Sequence, residues 1–69
     1  MPITVSETIF TFGSAVDARR FRHEYGVGGW IFEDEADGSA ILFPPSLYPA
    51  AIFHHPMTKG RIGRLIGSQ

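Results

Sequence analysis

Glu33, Asp34, Glu35 and Asp37 place four of the chain's seven carboxylates within five positions, between two strongly apolar runs. Such a cluster can hold a hard cation, exchange protons as an acid–base pair, meet a basic partner or simply charge a turn. For calcium, Glu33, Glu35, Asp37 and Gly38 fall at the first, third, fifth and sixth places of an EF-hand-like register. The twelfth place is Pro44, not a bidentate Glu, and strands rather than helices flank the loop, so calcium is a poor fit. Acid–base work needs two carboxyls in unequal environments, which a solvated hairpin tip does not offer. Two readings stay open. One is a soluble turn whose charges keep the neighbouring strand edge from sticking. The other is an anionic projection that docks into a basic groove, where clustered carboxylates steer association.

The other chemically able residues are scattered. His54 and His55 are adjacent, so their side chains diverge in a strand or in a helical turn, and His23 is the only further histidine. A metal site is not expected from them, and no cofactor is expected at all. None of the five serines sits in a G-x-S-x-G elbow, and with no cysteine there is no thiolate nucleophile, disulfide or cysteine zinc site. Gly26–Val27–Gly28–Gly29 lacks the dinucleotide fingerprint and precedes a strand. Lys59, Arg61 and Arg64 lie in KGRIGR, whose G-x-x-G resembles the phosphate clamp of KH domains, but no KH-type helices surround it. With Arg19 and Arg22 they would form a basic face and support a second reading, a nucleic-acid-associated regulatory module. The plainer expectation is a terminal strand with solvated basic residues and Ile62 turned inward.

Sixty-nine residues bound all of this to one small domain, residues 1–69, with little room for a water-excluding pocket. A hydrophobic content of 43% and an aromatic content of 13% indicate a folded chain. The formal net charge of −1 implies neither general attraction to nucleic acid nor repulsion from it. No apolar run approaches the roughly 20 residues that span a bilayer, and MPITVSETIF lacks the layout of a secretory signal. A small, soluble cytoplasmic protein without membrane contact is the expectation.

The elements that must position these residues follow from local patterns. Residues 2–12 are β-branched and aromatic, and predict one strand or two short ones with Ile3, Val5 and Ile9 on one side. Ser14 with Asp17 in the following turn opens a helix, AVDARRFRHEY, which Gly26 ends. Its predicted core face is Ala18, Phe21 and Tyr25, with Arg19, Arg20 and His23 opposite and Asp17, Arg20 and Glu24 along a flank. Trp30–Phe32 and Ala40–Phe43 become the arms of a β-hairpin turned by Asp37–Gly38, with the acids lifted into solvent at its tip. Pro49 starts a short helical turn, and a last strand runs from Arg61 to Ile66. The expected class is α+β: an antiparallel sheet of about four strands with one helix on one face, in the order β-α-β-β-short helix-β. Of the aromatics Trp30, Phe32, Phe43, Tyr48 and Phe53, most must be core. A sheet backed by one helix leaves its other face uncovered, so Trp30 or Tyr48 is expected partly exposed.

Over its whole length, and above all in "DARRFRHEYGVGGWIFEDE" and "FPPSLYPAAIFHHP", the chain resembles the small, cysteine-free anti-CRISPR proteins of phages and mobile elements. It is most similar in size and style to inhibitors of type I surveillance complexes. The resemblance implies a non-catalytic inhibitor in the host bacterial cytoplasm that binds a Cas subunit and blocks target-DNA access, often through an acidic surface. The expected partner-binding residues are Glu33, Asp34, Glu35 and Asp37, with Trp30 nearby supplying apolar area. The expected inhibitor is a monomer that touches a protein partner and no nucleic acid directly.

Overall fold

The computed structural model describes residues 8–67. Its elements are β1 (Phe10–Phe12), α1 (Ala15–Tyr25), β2 (Trp30–Asp34), β3 (Ala40–Phe43), α2 (Pro49–Phe53) and β4 (Gly63–Ile66). The fold is α+β. The four strands form one antiparallel sheet in the order β1-β3-β2-β4. Ile3 and Val5, expected on a first strand, lie outside the described residues.

Helix α1 starts where its cap residue requires. Ser14 is extended, and its hydroxyl accepts the Asp17 N–H at 3.2 Å, which satisfies one of the first-turn donors. The helix ends at Gly26, whose φ of 61° is the left-handed conformation that lets its N–H reach the His23 carbonyl. Arg20 lies 3.6 Å from Asp17 on the exposed flank. The buried stripe differs from the expected one. Ala15, Ala18 and Arg22 are buried, Phe21 is half-buried, and Tyr25 is 67% exposed. Tyr25 sits on the last turn, where its ring leans on Phe21 with centroids 4.6 Å apart; Phe21 in turn packs on Phe10 and Phe12. The aromatic stack substitutes for direct burial.

The β2–β3 hairpin supplies both faces of the core, because successive residues alternate across a strand. Ile31, Ala40 and Leu42 face α1 and join Ala15 and Ala18 in one cluster, with Phe12, Phe21 and Ile66 at its margin. Phe32, Ile41 and Phe43 face the other way and form a second cluster with Ile52, bordered by Ile9, Trp30, Leu47 and Leu65.

The second face is therefore covered, contrary to the expectation of a bare sheet. Residues 44–62, which connect β3 to β4, lie across it. Ile52 of α2 is fully buried in the second cluster, and the rings of Phe53 and Phe32 meet edge-on at 6.1 Å. Thr58, also buried, donates its hydroxyl to the Ile52 carbonyl and fixes the return of the chain. Pro49 opens α2 at its first position, where the missing N–H costs nothing. Tyr48 is 80% exposed, whereas Trp30 is half-buried against this layer.

Gly63 is what lets β4 close on β2. A Cβ there would run into the Glu33 carbonyl and the Phe32 ring. Two substitutions test the packing. Ile52→Ala should cost about 2–5 kcal/mol in urea unfolding, since it empties the centre of the second cluster. Gly63→Ala should also be clearly destabilising despite adding a single methyl, whereas Gly13→Ala, where the methyl meets open space, should be tolerated.

Candidate functional site

The acidic tip is an internally bonded structure, not four free carboxylates. Alternation from Trp30 and Phe32 carries Asp34 onto the face covered by residues 44–62, and Asp34 is only 5% exposed. Its Oδ1 accepts the N–H groups of Ala36 at 2.7 Å and Asp37 at 3.3 Å. Its Oδ2 accepts the Arg61 Nε–H at 2.5 Å. Arg61 also donates from Nη2 to Ser39 Oγ at 2.8 Å and from Nη1 to the Met57 carbonyl at 3.2 Å. Its guanidinium carbon lies 5.9 Å from the centroid of the Phe32 ring. Asp37 closes the network by accepting both the N–H of Ser39 at 2.9 Å and its hydroxyl at 2.7 Å. Gly38, with φ of 75°, lets the turn close so that its N–H reaches the Asp34 carbonyl.

This environment fixes the charges. The Arg61 hydrogen bond, aided by the Ala36 N–H, holds the Asp34 carboxyl below its ordinary range. Hydrogen bonds from the Ser39 side chain and N–H lower Asp37 in the same direction. Carboxyls held charged in this way are poor proton donors at neutral pH.

Glu33 points to the opposite face and accepts the Arg64 Nε–H at 2.8 Å, a pair whose arginine is largely exposed. Glu35 and Asp37 remain exposed at the tip. The Glu35 N–H donates to the Ile62 carbonyl at 2.8 Å. The Ile62 side chain is 75% exposed, against the expectation that it faces inward. It precedes β4 on the side of Arg64 and Ile66, at a point that the helical layer does not cover. Asp34, Glu35, Ala36, Gly60, Arg61 and Ile62 together line an open cleft of about 430 Å³.

The five expected partner-binding residues thus separate. Asp34 is a structural anchor, Glu33 is half-engaged by Arg64, Trp30 is half-buried, and Glu35 and Asp37 are exposed, Asp37 with its Oδ1 engaged by Ser39. The basic residues separate as well. Arg22 is buried and donates to the Gly29 carbonyl at 3.2 Å; burial, together with the charge of Arg19, lowers its pKa. Arg61 is enclosed in the tip network, and Arg64 is paired. Lys59 and Arg61 belong to the layer opposite α1, whereas Arg64 lies on the α1 side of the sheet, so the basic residues of KGRIGR are divided between the two faces. His55 accepts the Met57 N–H at Nδ1 and packs edge-on against Phe43, while His54 is exposed. Among the described residues no three His, Asp or Glu side chains converge as metal ligands, and no helix is long and apolar enough to cross a membrane.

Arg61 and Ser39 are the residues that local patterns miss, because Arg61 is 27 positions from Asp34. One signal does point to them: Trp30, Phe32 and Asp34 alternate onto one side, and the last of them needs a cation. No protein-family model, curated protein or solved structure matches the chain.

The lowered Asp34 and Asp37 values set an acid limb of stability. A carboxyl with a depressed folded pKa stabilises the fold above its unfolded value of about 3.9, and that contribution is lost as pH falls through the folded value. Urea midpoints should therefore drop below about pH 4. Asp34→Asn should lower the midpoint at neutral pH and flatten the acid limb; an unchanged slope would show that Asp34 is not the group responsible.

Proposed function

We propose that the chain is a small non-catalytic binding protein that docks the β2–β3 tip onto a basic, nucleic-acid-binding surface of a protein partner. The whole-chain resemblance names the class of partner: a Cas subunit of a type I surveillance complex, whose access to target DNA is blocked. The observation that carries the reading is the tip network. Asp34, Arg61 and Ser39 hold the loop rigid, so Glu35 and Asp37 are offered at fixed separation without the entropy cost of ordering a loop on binding. Exposed Ile62, which shares an open cleft with Glu35, adds apolar area.

This reading assigns distinct roles to the acids. Glu35 and Asp37 make the contact, Glu33 contributes from the rim, and Asp34 acts by holding the loop. The decisive variant leaves Asp34 intact. Glu35→Lys combined with Asp37→Asn should weaken binding to a purified type I surveillance complex by about tenfold or more and restore its target-DNA binding. The circular-dichroism spectrum of the variant should match the parent, with a melting temperature lowered only modestly, because Asp37→Asn gives up the charged acceptor of the two Ser39 bonds. Undiminished inhibition by the folded variant would overturn the proposal. So would salt-sensitive DNA binding by the isolated protein, which belongs to the nucleic-acid module instead.

A further inference from the structure

Independently of the tip, the geometry points to β4 as a self-pairing edge that joins two copies of this chain into one continuous sheet. The sheet order leaves β1 and β4 at the two margins, and among the described residues no strand covers the outer side of either. The margins are not equivalent. β1 has three residues, and only Thr11 of these turns its backbone groups outward. β4 offers more. The Glu35 N–H bond to the Ile62 carbonyl fixes the alternation, so residues 62, 64 and 66 turn their backbone groups toward β2. Gly63, Leu65 and, in continuation, Gly67 turn their N–H and C=O groups away from the sheet.

Such margins are usually guarded by lysine, proline or a bulge. Residues 61–67, Arg-Ile-Gly-Arg-Leu-Ile-Gly, contain no lysine or proline, and the charge on the strand itself, Arg64, is drawn to Glu33 of its own sheet. A formal net charge of −1 gives little general repulsion between copies.

The segment also suits its own antiparallel copy. In Gly63-Arg64-Leu65-Ile66-Gly67 the glycines flank Leu65 symmetrically. A two-fold axis through Leu65 sets Leu65 opposite Leu65 and each Gly63 opposite the other copy's Gly67, with Arg64 beside Ile66. Outward-facing groups then meet outward-facing groups. Slipping the register one way opposes the two Arg64 guanidiniums, which like-charge repulsion disfavours. Slipping it the other way leaves Gly63 without a partner among residues 63–67. The interface is isologous and runs the two four-stranded sheets together, β4 against β4. A second copy therefore replaces the monomer expected from the sequence.

The full chain tests this directly. Sedimentation equilibrium from micromolar to millimolar protein should show mass rising from monomer to dimer. The amides of Leu65 and Gly67 should exchange slowly with solvent in concentrated samples and rapidly on dilution. Gly67→Pro removes one outward N–H per copy at a site where a side chain meets only an ordinary contact with Trp30. It should weaken dimerisation by about tenfold with an unchanged circular-dichroism spectrum. Since the chain has no cysteine, Leu65→Cys supplies a single thiol, and hydrogen-bonded antiparallel partners sit about 5.5 Å apart at Cα, within disulfide reach. Oxidation should crosslink this variant and not Gly67→Cys. Monomeric mass throughout with fast exchange overturns the proposal. So does slow Leu65 exchange that survives dilution, which would mean the chain covers its own edge, or equal crosslinking at 65 and 67.

Discussion

The ion pair between Asp34 and Arg61 joins two parts of the chain that no local rule would bring together. It ties the end of β2 to the last turn before β4, and so fixes both the hairpin tip and the entry of the closing strand. A pair with a buried carboxylate and a partly exposed arginine is weak evidence of net stabilisation, because desolvation opposes the attraction of the ions. Its worth here is positional. Asp34 is already committed to two backbone N–H groups of the turn, and Arg61 to Ser39 and the Met57 carbonyl, so the pair has one geometry. The separation of roles among neighbouring acids follows from that.

Around this anchor the sheet is enclosed between unlike layers. On one side α1 is a capped helix of eleven residues that brings two alanines close to the strands. On the other, the five residues of α2 and the irregular chain around them supply Ile52, Leu47 and Thr58. A small chain reaches two buried clusters this way because each hairpin strand contributes to both. Glycine makes the closeness possible at the margins: at Gly29 a side chain would strike the Phe43 carbonyl, and at Gly63 it would strike Phe32.

Much of this is legible in the sequence. The Ser14 cap, the Gly26 stop, the Asp37–Gly38 turn and Pro49 each specify a local conformation with a physical cause, and the elements form where they indicate. The element order follows from them. What cannot be read is which irregular segment lies over which face. Residues 44–62 carry no helical or strand period long enough to announce a layer, so the sequence alone leaves the second face of the sheet bare. Periodicity puts Tyr25 in the core, although α1 lets its last turn rest on Phe21. Proximity in the sequence groups Asp34 with its neighbours, while strand alternation separates it from Glu33 and Glu35. Composition describes a cluster; alternation decides which of its members are inside.

The layer formed by residues 44–62 has a dynamic consequence. It contributes no strand to the sheet, its helix is too short to be stable alone, and it is attached to the sheet through Leu47, Ile52, Phe53 and His55 and through the Arg61 ion pair. The sheet and α1, by contrast, share a separate cluster, and the strands are joined by backbone ladders. Such a layer is a local opening unit: it can lift while the strands stay paired, at a free energy below that of global unfolding. Lifting it would bare Phe32, Ile41 and Phe43 together and free Arg61 from Asp34 in the same event. The rigidity of the tip and the closure of the second cluster are thus two readings of one equilibrium.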